Sequence, residues 1–252
     1  MRQLHASHDV EVFQKGQKEP EKAAKQVIDE SSIKLIVNGE EWLSFICSPS
    51  DLEALAVGYL WNEGLIKDFA DVDFVCANPD YDHVRVTLKG AVEKPARFAR
   101  TSTGFEADKA RHAIHVAADP IKASKLIKLY KDFSDEQAMH EQVGGFHSAG
   151  LCDSRKLRLS VEDLGRHNCV DKIAGLYLMQ GQPFEPAVLC LSGRISSEMV
   201  WKSLQLQVPF IVSRTTPTST AVAVADQAGI TLVGYMRDES FIIYSHPENV
   251  RS

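Results

Sequence analysis

After Gly144-Gly145 the chain alternates short apolar runs with runs of helical periodicity, and this alternation limits its fold more than any other feature. Strands are predicted over Phe146–Cys152 and Lys156–Glu162, then a helix over Asn168–Gln180 and a strand over Ala187–Ser192. A helix over Ser196–Leu206, a strand over Phe210–Ser213, a helix over Ser219–Gly229 and strands over Thr231–Tyr235 and Phe241–Tyr244 complete the series. Such alternation of strands with helices predicts an α/β sheet with helices on its faces.

The first half reads differently. Gln14 to Lys25 is polar and rich in Lys, Glu and Gln, and is expected to be a loop or poorly ordered arm. Ile33, Leu35 and Val37 alternate with polar or shorter residues, which marks a half-buried strand. Asn38-Gly39 suits the positive φ angles of a tight hairpin, so Trp42 to Cys47 should return antiparallel. A helix follows. Ser50 and Glu53 have the spacing of a capping box, Leu52, Leu55, Ala56, Tyr59 and Leu60 share one face, and Gly64 suits the stop. Strands are predicted over Val72–Cys76 and His83–Leu88, and a helix over Ile121–Phe133 with Ile121, Leu126, Leu129 and Tyr130 inward. The expected organisation is a small N-terminal α+β domain over residues 27–100 and a larger domain over 101–252.

Composition excludes some classes. A net charge of −6 argues against broad binding to nucleic acid. No apolar run approaches the roughly 18–20 residues that span a bilayer, and Met1 to Gln14 lacks the pattern of a secretory signal. The five cysteines, Cys47, Cys76, Cys152, Cys169 and Cys190, fit neither a disulfide framework nor a zinc spacing, so no metal site is expected and the cytoplasm is the expected compartment.

Chemistry-bearing residues gather where strands end. Glu162 to Lys172 reads EDLGRHNCVDK between a strand and a helix, the junction at which α/β folds bind ligands. Asn168 is a candidate cap, Arg166 a candidate anion clamp, and Asp171 and Lys172 sit in the first helical turn. Ser192-Gly193-Arg194, followed by Ser196, repeats the arrangement, with Glu198 and Lys202 spaced for a helical salt bridge. Ser213 to Ser219, with Thr216, Pro217 and Thr218, is a third such junction, and Gly234 to Ser240 is a turn between strands. Gly144-Gly145-Phe146-His147 adds flexible backbone and an imidazole. Each cluster read alone is also a capped helix or a polar turn. Nucleotide-binding glycine loops, HExxH and CxxC are absent. The residues by themselves indicate an α/β protein with a composite pocket suited to phosphate.

These clusters resemble the FdhD family of formate dehydrogenase accessory sulfurtransferases. EDLGRHNCVDK, SGRISSEMVWK, SRTTPTSTAV and GITLVGYMR are similar to the family's EDxGRHNAVDK, SGRxSxExVxK, SxSAPTxxAV and GxTLxGFxR. VNGEEW and SPSDLEALAVGYLWNEGLI resemble its N-terminal patterns, and GGFH its GGxH. The resemblance runs from about Val27 to Pro247. It implies a cytidine-deaminase-like C-terminal domain beside the small α+β domain, and a homodimer. It also implies binding of the bis(molybdopterin guanine dinucleotide) molybdenum cofactor, with a guanine nucleotide as partial mimic. A cysteine desulfurase and the formate dehydrogenase catalytic subunit are the implied partners, with no role for nucleic acid or a membrane.

The resemblance carries cofactor binding onto His147, Arg166, His167, Asn168, Asp171, Lys172, Ser192, Gly193, Arg194, Ser196, Thr216, Pro217 and Thr218. The loop assigned to the cofactor in the family corresponds to Tyr235, Met236, Arg237, Asp238, Glu239 and Ser240. One departure stands out. The family's persulfide-carrying C-G-x-C pair falls on Thr103 and Glu106, and neither a hydroxyl nor a carboxylate holds a persulfide. Cys169 stands where the family has alanine, beside Arg166, His167 and a helix start. Those neighbours predict a thiol pKa below the free value of about 8.5, which would make Cys169 a replacement carrier. The expectation is an accessory protein that keeps the cofactor pocket. The alternatives are a sulfurtransferase using Cys169, or a nucleotide-acting enzyme using His147 or His167 as base.

Overall fold

The structure is a computed structural model and describes residues 5–95 and 115–252. It opens with a two-stranded ribbon, β1 (His5–Val12) against β2 (Glu21–Ile28), paired antiparallel along its length. The loop expected to reach Lys25 therefore ends at Pro20. Backbone pairing alone makes this ribbon, and none of its residues is buried, so no apolar pattern announced it.

The next unit is a four-stranded sheet ordered β4-β3-β6-β5, built from β3 (Ser31–Val37), β4 (Glu40–Cys47), β5 (Val72–Ala77) and β6 (His83–Leu88). Asn38 and Gly39 take φ of 50° and 85°, so the hairpin turn forms as expected. Ile33, Leu35 and Val37 point inward. Helix α1 (Leu52–Asn62) lies between this sheet and the rest of the chain, and ten of its eleven residues are buried. The expected single apolar face is thus too narrow a description. The capping box does not form either. Asp51 precedes the helix at φ 49° without a side-chain cap, Glu53 accepts from the backbone N–H of Ala77 at 2.8 Å, and Ser50 Oγ accepts from Lys172 at 3.1 Å.

The second unit holds β7 (Ile121–Lys122), α2 (Ala123–Asp135), α3 (Ala138–Val143), β8 (His147–Cys152), β9 (Leu157–Asp163), α4 (Arg166–Met179), β10 (Val188–Leu191), α5 (Ser197–Gln205), β11 (Phe210–Ser213), α6 (Ser219–Ala228), β12 (Thr231–Gly234), β13 (Ile242–Ile243) and β14 (Val250–Arg251). Six of these strands form one sheet ordered β13-β12-β11-β10-β8-β9. Strands β10, β11 and β12 are parallel, whereas β8, β9 and β13 run antiparallel to their neighbours. Leu189, Leu191, Ile211 and Leu232 pack with α4, α5 and α6 on one face; Val188, Cys190, Val212 and Val233 pack with Leu126, Leu129, Tyr130 and Phe133 of α2 on the other. Burial on both faces explains why these strands read as continuous apolar runs. The fold is α+β, as the sequence indicates.

The two units share one core. Helix α1 crosses α4 at glycines: a Cβ on Gly58 would stand 1.8 Å from the Asp171 carbonyl oxygen, and one on Gly175 would stand 1.9 Å from that of Ala54. Backbone meets backbone there, which only glycine permits. Among the described residues, no helix is long and apolar enough to cross a membrane.

Candidate functional site

Strand direction gathers the polar clusters at one edge of the six-stranded sheet. Parallel β10, β11 and β12 end there, β9 ends there, and antiparallel β8 begins there. His147, the turn 163–166, Ser192 to Arg194, the segment 213–218 and the turn 235–240 therefore form one rim. Backbone hydrogen bonds join its loops. Ile195 N–H donates to Thr216 O (3.3 Å), Thr218 N–H to Ile195 O (2.9 Å), Tyr235 N–H to Thr215 O and Met236 N–H to Ser213 O (3.0 Å each). Ser213 Oγ donates to Gly193 O at 2.7 Å, and Arg237 donates to the carbonyls of Arg214 and Met236 at 2.8 Å. Three segments far apart in sequence are thus held in one register.

The rim is basic. Arg194, Arg214 and Arg237 are exposed and Arg166 is half-buried. Burial, and then the nearby Arg194 guanidinium, pull Arg166 below the usual guanidinium range. Burial and the charge of Arg166 likewise hold His147 below the ordinary histidine pKa, which favours its neutral form. His147 packs against Gly193, where an added Cβ would lie 3.0 Å from His147 Nδ1 and 3.5 Å from Arg166 Cβ. That glycine lets the second cluster approach the first.

Individual residues divide by role. Ser192 Oγ accepts from the Ser148 N–H at 2.8 Å, and Thr218 caps α6 by accepting from the Ala221 N–H at 3.1 Å. Thr216 Oγ1 donates to Pro217 O at 3.1 Å, and Pro217 is buried. In the last turn Tyr235, Arg237, Asp238, Glu239 and Ser240 are exposed, and Arg237 N–H donates to Ser240 O at 2.8 Å. Met236 points instead into the core beneath α2. A cavity of about 240 Å³ lies beside it, lined by Tyr130, Lys131, Ser134, Asp135, Arg214, Arg237 and Asp238 among others. The α2 contribution to this cavity escaped sequence reading. Its only signal is the polar flank of an amphipathic helix.

Three expected ligand contacts are structural instead. Asn168 does not cap α4, whose N-cap is Gly165; its amide donates to Ile46 O and Asp163 Oδ1 at 2.8 Å. Lys172 is fully buried and pairs with Asp163 at 2.6 Å, also donating to Ser48 O and Ser50 Oγ. Asp171, also buried, accepts from Lys202 at 2.6 Å and from Asn62 at 2.7 Å. The Glu198–Lys202 pair is looser, at 3.9 Å, because Lys202 turns to Asp171. Asp163 is the residue whose role went unseen. Its carboxylate collects the N–H groups of Ser48 (3.1 Å) and Gly165 (2.7 Å), the Asn168 amide and the Lys172 ammonium. Ser48 lies 115 residues away in sequence, so no local spacing reveals the clamp.

Cys169 is fully buried and its Sγ lies 4.0 Å from Asp163 O. Burial, followed by the Asp163 charge, pushes its thiol well above the free value, opposite to the lowering expected from Arg166 and the helix start. Cys76, in β5, is the exposed one, while Cys47, Cys152 and Cys190 are buried. Thr103 and Glu106 lie outside the described residues.

Comparison with known proteins agrees with this architecture. The model of the FdhD/NarQ family matches residues 28–251. A sulfur carrier protein FdhD from Bacillus pumilus is 34% identical over 236 residues, covering 89% of this chain and 90% of the relative. Its counterpart from Bacillus subtilis is 31% identical over 257 residues, covering 98% and 97%. The crystal structure of a protein assigned as a formate dehydrogenase accessory protein from Desulfotalea psychrophila matches with a TM-score of 0.83 and 25% identity, over 99% of this chain and 100% of that one.

Proposed function

The chain belongs to the FdhD/NarQ family, and from that premise we propose that it is a formate dehydrogenase accessory protein whose rim binds bis(molybdopterin guanine dinucleotide) molybdenum cofactor. The observation that carries this reading is the gathering of Arg166, Arg194, Arg214 and Arg237 on one rim, in a protein whose net charge is −6. A patch of that sign on an acidic protein suits a polyanion, and guanidiniums grip phosphate oxygens through paired hydrogen bonds. Exposed Tyr235 offers a flat ring for stacking on a guanine or pterin. When bound, the cofactor would supply the molybdenum chemistry. The chain's own residues would hold its phosphates and orient its rings.

The protein would support sulfuration of the cofactor or its delivery to the client enzyme, working as a cytoplasmic homodimer with a cysteine desulfurase as sulfur source. A carrier role for Cys169 has no support from its surroundings, because a relay thiol must be ionised and reachable and this one is neither. Calorimetric titration with guanosine diphosphate and with the isolated cofactor tests the reading. Saturable binding weakened by Arg237→Ala is expected; no binding of either compound refutes it. Incubation with a desulfurase and cysteine, followed by intact-mass measurement, reports whether sulfur is accepted.

A further inference from the structure

Two helix N-termini meet beside His147. Helix α4 starts after Gly165 and α5 after Ser196, and neither has a side-chain cap, whereas Thr218 caps α6. Ser196 has the extended backbone of a capping residue, at φ −92° and ψ 165°, yet its hydroxyl is buried without a hydrogen-bond partner among the described residues. Arg166 Nε is buried in the same condition. His167, 5% exposed, lies with Nδ1 3.2 Å from Glu198 Oε1 in the first turn of α5, and its Nε2 has no partner among the described residues. Buried donors are normally satisfied, so several left open at one junction point to a missing acceptor.

The charge count agrees. Arg194 stands close enough to Arg166 to disfavour its charge, after burial, and two helix ends add about half a positive charge each. Glu198 is the one acidic residue in the first turns of the two helices, held ionised against its burial chiefly by His167 and Lys202, and the Asp163 carboxylate behind Gly165 is offset by Lys172. Roughly two positive charges are left over, which matches a dianion. Helix N-termini with arginines are favourable places for phosphate.

We propose that the α4–α5 junction is a separate anion subsite that takes a phosphate or pyrophosphate group between Arg166 and Arg194, with the Ser196 hydroxyl turned onto it. The Tyr235–Ser240 turn, on the far side of the 213–218 segment, then holds a different part of the ligand. The identity of the ligand rests on the cofactor reading above; the subsite itself does not.

Inorganic pyrophosphate is the probe, titrated calorimetrically at fixed ionic strength. Arg194 is exposed, so Arg194→Gln should fold normally, and it should weaken pyrophosphate binding about tenfold or more. Arg166→Gln should do the same, with a melting curve confirming its fold, and Arg237→Ala should leave pyrophosphate binding unchanged while weakening guanosine diphosphate. No pyrophosphate binding, or binding indifferent to Arg194→Gln, overturns the proposal. If guanosine diphosphate binds with an affinity that neither Gln variant alters, the cofactor reading survives and the subsite falls. If pyrophosphate binds through Arg194 while guanosine diphosphate and the cofactor do not bind, the subsite stands and the cofactor reading falls.

Discussion

Asp163→Ala tests whether the clamp beneath the rim is as described. The carboxylate is fully buried and meets four donors, one of them the Lys172 ammonium at 2.6 Å. Its removal strands a buried ammonium with only two neutral acceptors, Ser48 O at 3.2 Å and Ser50 Oγ at 3.1 Å. Breaking a buried pair from one side costs about 3–5 kcal/mol, because the remaining charge keeps its desolvation penalty. At this chain length each kcal/mol moves the melting point by about 2–4 °C, so a drop on the order of 10 °C follows. Lys172→Met should cost less, about 2–3 kcal/mol, since the carboxylate left behind still accepts from three N–H groups. Urea unfolding followed by fluorescence of the buried Trp42, Trp61 and Trp201 measures both, and the double variant gives the coupling. A loss below about 1 kcal/mol for Asp163→Ala, or a larger loss for Lys172→Met, would refute the clamp.

Gly58→Ala and Gly175→Ala should each cost about 3 kcal/mol or more, because the new methyl meets rigid backbone; an unchanged melting curve would mean that α1 and α4 are not in this contact. Brief alkylation of the native protein should modify Cys76 alone, with all five cysteines reacting in denaturant; a peptide map showing native labelling of Cys169 would contradict its burial. His246 binds the carbonyl of Asp226 and the carboxylate of Glu248, which raises its pKa above the ordinary 6.5. Its contribution to stability is then complete below about pH 6.5 and is lost as pH rises through the raised value. His246→Gln should therefore destabilise more at pH 5.5 than at pH 8.5, and equal losses at both would rule the pairing out.

The parts legible in sequence are those with a local cause. The Asn38-Gly39 turn, the alternating Ile33, Leu35 and Val37, and the both-faces-buried strand Phe210–Ser213 fell where pattern placed them. The rim was legible as separate clusters, since each ends a strand. Other features have distant causes. Asn168, Asp171 and Lys172 look like ligand groups because they are polar and near a helix start, but each also has a partner more than a hundred residues away, Ile46, Asn62 and Ser48 respectively. Ser50 and Glu53 have capping spacing, yet Lys172 and Ala77 claim their side chains. Cys169 misled for a related reason. Nearness to Arg166 in sequence said nothing of the burial that dominates its thiol.

The glycine crossing of α1 and α4 bears on how such proteins can exchange parts. A chimera that joined residues 1–95 of one relative to the remainder of another would inherit α1 and α4 from different parents. Any mismatch at 58 or 175 would then fall on carbonyl oxygens that have no rotamer with which to yield. Recombination between relatives should succeed where both parents keep glycine at both positions, and fail elsewhere however well the rim residues agree.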